Sequence, residues 1–149
     1  MDGATPNLFE REHQRMDALL QAHLLDVVAG DFKSARRRLA RWRLALARHI
    51  DIEQTRLLPH VPADARWDAR VYRLEHERIT LLADEYAAQV QAAAARALQG
   101  QQARRLAVLG LLDAAHALRH LLEHHHQREE MALAHELPLE AQRAAWLQQ

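Results

Sequence analysis

Cysteine is absent from this chain of 149 residues, which removes disulfides, thiolate metal sites and thiol catalysis together. Glycine and proline number four each, too few to supply the turns of a sheet protein. Net charge is missing as well. Lys+Arg and Asp+Glu number 20 each, so no overall field draws the chain to nucleic acid or to an acidic membrane. Long apolar runs are missing too: the longest, Leu106–Leu112, falls far short of a bilayer span. The first residues, Met1 to Pro6, show no basic-then-apolar leader. These absences point to a cytoplasmic chain with no nucleic-acid and no membrane partner; a monomer or homodimer is expected.

What is abundant is alanine, leucine and arginine, a composition that favours helix. Histidine is the anomaly: there are 11, six of them between His116 and His135. The length suits a single domain with a real core.

Four long amphipathic segments are expected. Thr5 reads as an N-cap with Pro6 at the first helical position, opening a helix to about Ala29. Its inner stripe is Phe9, His13, Met16, Leu20, Leu24 and Val27. Gly30 closes it and Asp31 caps a second helix from Phe32 to about Leu58, with Leu39, Trp42, Leu46, His49, Glu53 and Leu57 inside. Pro59 and Pro62 hold a loop. A third helix from near Ala65 turns Tyr72, His76, Ile79, Ala83, Tyr86 and Val90 inward. Gly100 makes the next turn, and a fourth helix from Gln102 to His135 buries Leu111, Leu118, Leu122, His125 and Glu129. Pro138 ends it, and Leu139–Leu147 reads as a short helix docking through Leu139 and Trp146. Short connections make sequential helices antiparallel. The expected fold is all-α: an up-down-up-down four-helix bundle over residues 6–137 with a C-terminal tail, 138–149, in one domain over residues 1–149.

His49 and Glu53 are four residues apart, and so are His125 and Glu129. At that spacing two side chains share one helix face. His13 and His76 are lone histidines on the other two inner stripes. Counting from the turns aligns all four. His13 lies 17 residues before Gly30 and His49 19 after it; His76 lies 24 before Gly100 and His125 25 after it. Such mismatches amount to about 1.5–3 Å along a helix axis. Two independently counted hairpins thus bring their histidines to one height.

Imidazole and carboxylate without thiolate suit iron, manganese or zinc. Glu53 and Glu129, projecting from opposed helices, can each bridge two ions, with two histidines for each ion and a solvent bridge between them. That scheme leaves a position open on each ion. Two iron ions, oxo- or hydroxo-bridged, are the expected cofactor, with manganese and zinc ranked below, because an open pair of redox ions suits O2, NO or peroxide. Tyr72, one turn before His76, is a candidate extra ligand or hydrogen-bond donor. Glu130, Asp51 and Gln54 are candidate acceptors for the histidines' outer N–H groups.

Glu12-His13, His49-x-x-x-Glu53 with Leu57 and Pro59, Leu74-Glu75-His76 and His125-x-x-x-Glu129-Glu130 together resemble the hemerythrin-like, HHE cation-binding domain family, over about Leu8 to Pro138. The resemblance implies a non-haem di-iron centre with roles in O2 or NO binding, iron homeostasis or redox chemistry. Oxygen-carrying members have a second histidine one turn before the third-helix one, and an aspartate five residues after the fourth-helix histidine. Here those features are replaced by Tyr72 and by Glu129, four residues on. The chain therefore resembles the broader group, which implies oxidation chemistry or NO capture.

The remaining histidines are expected elsewhere. His116, His120 and His124 form an outer stripe. His60 and His135 read as surface residues near the metal end, and His23 as out of line and two turns away. His126 with Glu130 is the alternative to His125 with Glu129. Arg36, Arg37, Arg38, Arg41, Arg43 and Arg48 read as a solvated face. Three functions fit: a di-iron protein that binds or reacts with a diatomic molecule or peroxide, an oxidase or peroxidase-like enzyme, or an interaction module stapled by metal. The chain has no nucleotide, flavin or haem motif, so redox work would need an external electron donor.

Overall fold

The computed structural model describes residues 7–147, and all the regular structure among them is helical. The long helices are α1 (Leu8–Val28), α2 (Phe32–Ile52), α3 (Ala69–Ala95) and α4 (Gly100–Arg128). The short α5 (Ala134–Glu136) and α6 (Leu139–Leu147) follow. Each long helix packs on two others, α1 on α2 and α4, α3 on α2 and α4, so the four enclose a common interior. None is long and apolar enough to cross a membrane.

Caps fix the helix starts. Thr5 and Pro6 lie outside the described residues. The cap that is described is Asn7, whose Oδ1 accepts the Glu10 N–H at 2.8 Å. Asp31 accepts the Ser34 N–H at 3.1 Å. Gly30, with φ +73°, closes α1 as expected, and the Asp31 N–H reaches back to Asp26 O at 3.0 Å. The third helix starts at Ala69 rather than near Ala65, because Asp68 is the cap: its carboxylate accepts the Arg70 N–H at 2.8 Å. The loop before it is held by the Arg66 N–H donating to Glu136 at 2.7 Å and by the Arg128 guanidinium 4.2 Å above the Trp67 ring.

Neither the second nor the fourth helix runs on as plain α-helix. At Glu53–Leu57 and Glu129–Leu133 the backbone widens into a π turn: the Leu58 N–H bonds Glu53 O, and the Ala134 N–H bonds Glu129 O, five residues back. Both π turns open on the glutamates. Turns of this kind are frequent at functional sites.

The interior holds two apolar clusters. The larger contains Met16, Leu20, Trp42, Leu46, Ile79, Tyr86, Leu118 and Leu122 among others. The smaller contains Phe9, Ile52, Leu57, Leu58, Tyr72, Leu133, Leu137, Ala145 and Trp146. His13 falls between Phe9 and Met16, His49 between Leu46 and Ile52, His76 between Tyr72 and Ile79, and His125 between Leu122 and Leu133. A polar layer thus divides the two clusters. Helix α6 closes the smaller one through Gln142, Ala145 and Trp146, with Trp146 edge-on to Phe9. Leu139 does not dock as expected; it is 54% exposed, and Leu137, just ahead of Pro138, takes the buried place.

Candidate metal centre

The inner stripes bring together all six expected donors. His13, His49, Glu53, His76, His125 and Glu129 are buried, and both glutamates are 0% exposed. Their ligand atoms form two groups, His13/His49/Glu53/Glu129 and Glu53/His76/His125/Glu129, each with all atoms within 4.8 Å of one another. The two groups share both carboxylates, which is the pattern two adjacent cations require.

The Nε2 edges face the carboxylates. His13 Nε2 lies 3.0 Å from Glu129 Oε1, His76 Nε2 3.0 Å from Glu53 Oε2, and His125 Nε2 3.3 Å from Glu129 Oε2. His49 Nε2 pairs with Glu53 Oε1. On three of the four rings the opposite nitrogen, Nδ1, is held from outside: His13 by Glu130 at 3.1 Å, His76 by Gln54 at 3.0 Å, and His125 by Glu75 at 3.2 Å. Glu75 is itself paired with Arg128 at 3.1 Å. An acceptor at Nδ1 selects the tautomer that leaves the Nε2 lone pair pointing inward. His49 is held differently, with its ring stacked on Trp146 at 4.8 Å and 15°.

Polar satisfaction is incomplete here. Glu129 Oε2 and His49 Nδ1 are buried without a hydrogen bond of adequate geometry, although Glu129 Oε2 has imidazole nitrogens at 3.3 and 3.8 Å. Two ionised carboxylates removed from water need cationic compensation, because the effective penalty is several kcal/mol per ion. Protons can supply it. Burial pushes the His49 and His125 imidazoles down, but Glu53 and Glu129 outweigh it and hold both up at about 10. Against the same burial, Glu129 and Glu130 raise His13, and Glu129 and Glu53 raise His76. Burial pushes Glu129 up, and the surrounding imidazoles, His125 foremost, bring it well below the usual carboxylate range. A donor set so rich in negative potential, with buried lone pairs still unsatisfied, fits metal cations equally well.

The other expected residues divide clearly. Glu130 touches His13 but joins neither donor group. Gln54 holds His76, whereas Asp51 is exposed. Tyr72 is fully buried in the smaller apolar cluster, and its hydroxyl meets no hydrogen-bond partner. Burial, with Glu136 and Glu129 nearby, pushes that phenol up. His125 takes the place in the donor set, and His126 stacks outside it on His13 at 3.9 Å and 12°. Burial and the neighbouring His13 push His126 down to about 2, which keeps it neutral. His60, His116, His120, His124 and His135 are exposed.

Sequence reading missed two residues that support the centre. Glu75 directly precedes His76, and that adjacency is the one signal that could have assigned it to α4. Trp146 was expected to dock the tail, but its stacking on His49 has no signature in the sequence. Two grooves lead inward. One of about 340 Å³ between α1 and α2 is lined by Glu12, Arg15, Arg48, His49 and Trp146 among others, and so reaches a donor ring. The other, about 720 Å³ between α1 and α4, is lined by Asp17, Glu123, His126 and Glu130 among others.

No family model, curated protein or solved structure matches the chain.

Proposed function

We propose that the chain is a non-haem di-iron protein of hemerythrin-like type, cytoplasmic, with its four long helices running up-down-up-down. His13 and His49 would hold one ion, His76 and His125 the other, and Glu53 and Glu129 would bridge them. The observation that carries this reading is the pair of four-residue donor groups with both carboxylates in common. Bound iron would supply redox and Lewis-acid chemistry toward O2, NO or peroxide. The protein's own residues do the rest. Glu130, Gln54 and Glu75 fix the ring orientations, and the two apolar clusters keep bulk water away from the ions. The groove that reaches His49 favours a reactive centre over a purely structural staple, since it gives a small molecule a way to a donor ring.

Optical titration of iron-loaded, untagged protein with peroxide and with NO tests the reading. New visible absorption that depends on both glutamates is the expected result. A colourless protein that holds stoichiometric zinc and ignores both reagents would leave only a structural metal. Turnover under a supplied electron donor decides between a binding protein and an oxidase or peroxidase-like enzyme.

A further inference from the structure

A second buried polar group lies in the larger apolar cluster, away from the donors. His23 is 0% exposed and Tyr86 1%. His23 Nδ1 is 2.6 Å from Ala35 O, and His23 Nε2 is 2.6 Å from the Tyr86 hydroxyl. A carbonyl only accepts, so Nδ1 carries the hydrogen and Nε2 accepts from the phenol. The phenolic proton therefore points along a short hydrogen bond at a free imidazole lone pair. Burial holds His23 neutral, while Asp26 favours its cation.

The chain has just two tyrosines, and the other serves as an internal control. Tyr72 is as deeply buried, but its hydroxyl has no acceptor. Oxidising a buried phenol requires its proton to go somewhere, because a protonated phenoxyl cation in an apolar interior is strongly disfavoured. Tyr86 has a base to receive that proton and Tyr72 has none. We infer that Tyr86 and His23 form a proton-coupled redox site. Loss of one electron from Tyr86 is accompanied by transfer of its hydroxyl proton to His23 Nε2, giving a neutral phenoxyl radical and an imidazolium that donates through both nitrogens. Re-reduction returns the proton to the phenolic oxygen.

The electron goes to a strong one-electron oxidant. Tyr86 is ten residues beyond His76 on α3 and His23 ten beyond His13 on α1, about 15 Å along each axis, which suits electron transfer to the donor cluster. Service to metal ions that have met peroxide rests on the function proposed above; the redox competence of the pair does not.

Flash photolysis with a photogenerated ruthenium(III) tris-bipyridine oxidant on the metal-free, full-length protein tests the pair directly. The radical is read by electron paramagnetic resonance after ring-deuterated tyrosine labelling. The expected radical sits on Tyr86, is lost in Tyr86→Phe and persists in Tyr72→Phe. His23→Gln keeps a hydrogen-bond acceptor but not a base, so it should lose the radical together with the solvent deuterium isotope effect on its formation. Thermal melts check that each variant folds. A radical confined to Tyr72 or to tryptophan, or an undiminished Tyr86 radical in folded His23→Gln, overturns the inference. Peroxide added to iron-loaded protein forms a separate arm: a Tyr86 radical on the flash but none with peroxide counts against the metal centre as oxidant, not against the pair.

Discussion

The two halves of the bundle bury polar side chains in opposite ways. Both ring nitrogens of His23 have one good partner: Ala35 O and the Tyr86 hydroxyl complete the ring, and the pair is neutral. Around Glu53 and Glu129, four imidazoles crowd two carboxylates, and buried atoms remain without a proper hydrogen bond. A satisfied neutral pair is complete without anything added. The donor layer is complete only when cations, as protons or metal ions, neutralise the carboxylates. The helices register the same contrast. They run as regular α-helix past His23 and Tyr86 but widen into π turns at the two glutamates.

Metal removal should break the comparison most sharply. Ions present at a hundred times their Kd stabilise a fold by about 2.7 kcal/mol. Chelation should therefore lower the unfolding midpoint of loaded protein, as read by denaturant titration. Glu53→Ala or Glu129→Ala should abolish paired-metal binding and with it that chelator-sensitive increment.

The pH dependence should differ in sign between the metal-free and loaded forms. In metal-free protein His49 and His125 rise from 6.5 to about 10, so their contribution is complete below about 6.5 and lost as pH climbs through about 10. In loaded protein, acid protonates the ligands and displaces the metal. Above about pH 7, clear of the range in which His23 and His126 take up protons on unfolding, denaturant midpoints should fall toward about pH 10 without metal and fall toward acid with it. Parallel curves would contradict this account of the donor layer.

Tyr86→Phe should have a smaller effect, confined to the other half. It leaves His23 Nε2 buried without a donor, about 1–3 kcal/mol of destabilisation by denaturant titration. Metal content should not change. Smallest of all is His120→Ala on the exposed stripe, expected within about 0.5 kcal/mol of the parent and with the same metal stoichiometry by elemental analysis.

Much of the donor layer was legible because two periodicities agreed. Three- and four-residue steps put His13, His49, His76 and His125 on apolar stripes, and residue counts from Gly30 and Gly100 placed them level. What escaped depends on tertiary partners. Leu24 completes the expected stripe of α1, yet His23 is the residue that is buried, because Tyr86 and Ala35 satisfy its ring. The π turns have no compositional mark, since Gln54 to Leu57 and Glu130 to Leu133 would read as ordinary helix. The start of α3 was misplaced because Asp68 outcompetes the alanines before it as a cap.

The most direct test is an anomalous difference map at the iron edge from crystals of iron-loaded, untagged protein. Two adjacent peaks flanked by Glu53 and Glu129, one against His13 and His49 and the other against His76 and His125, are the result this account predicts. A map with no peak among those six side chains, or with density only along His116, His120 and His124, would contradict it.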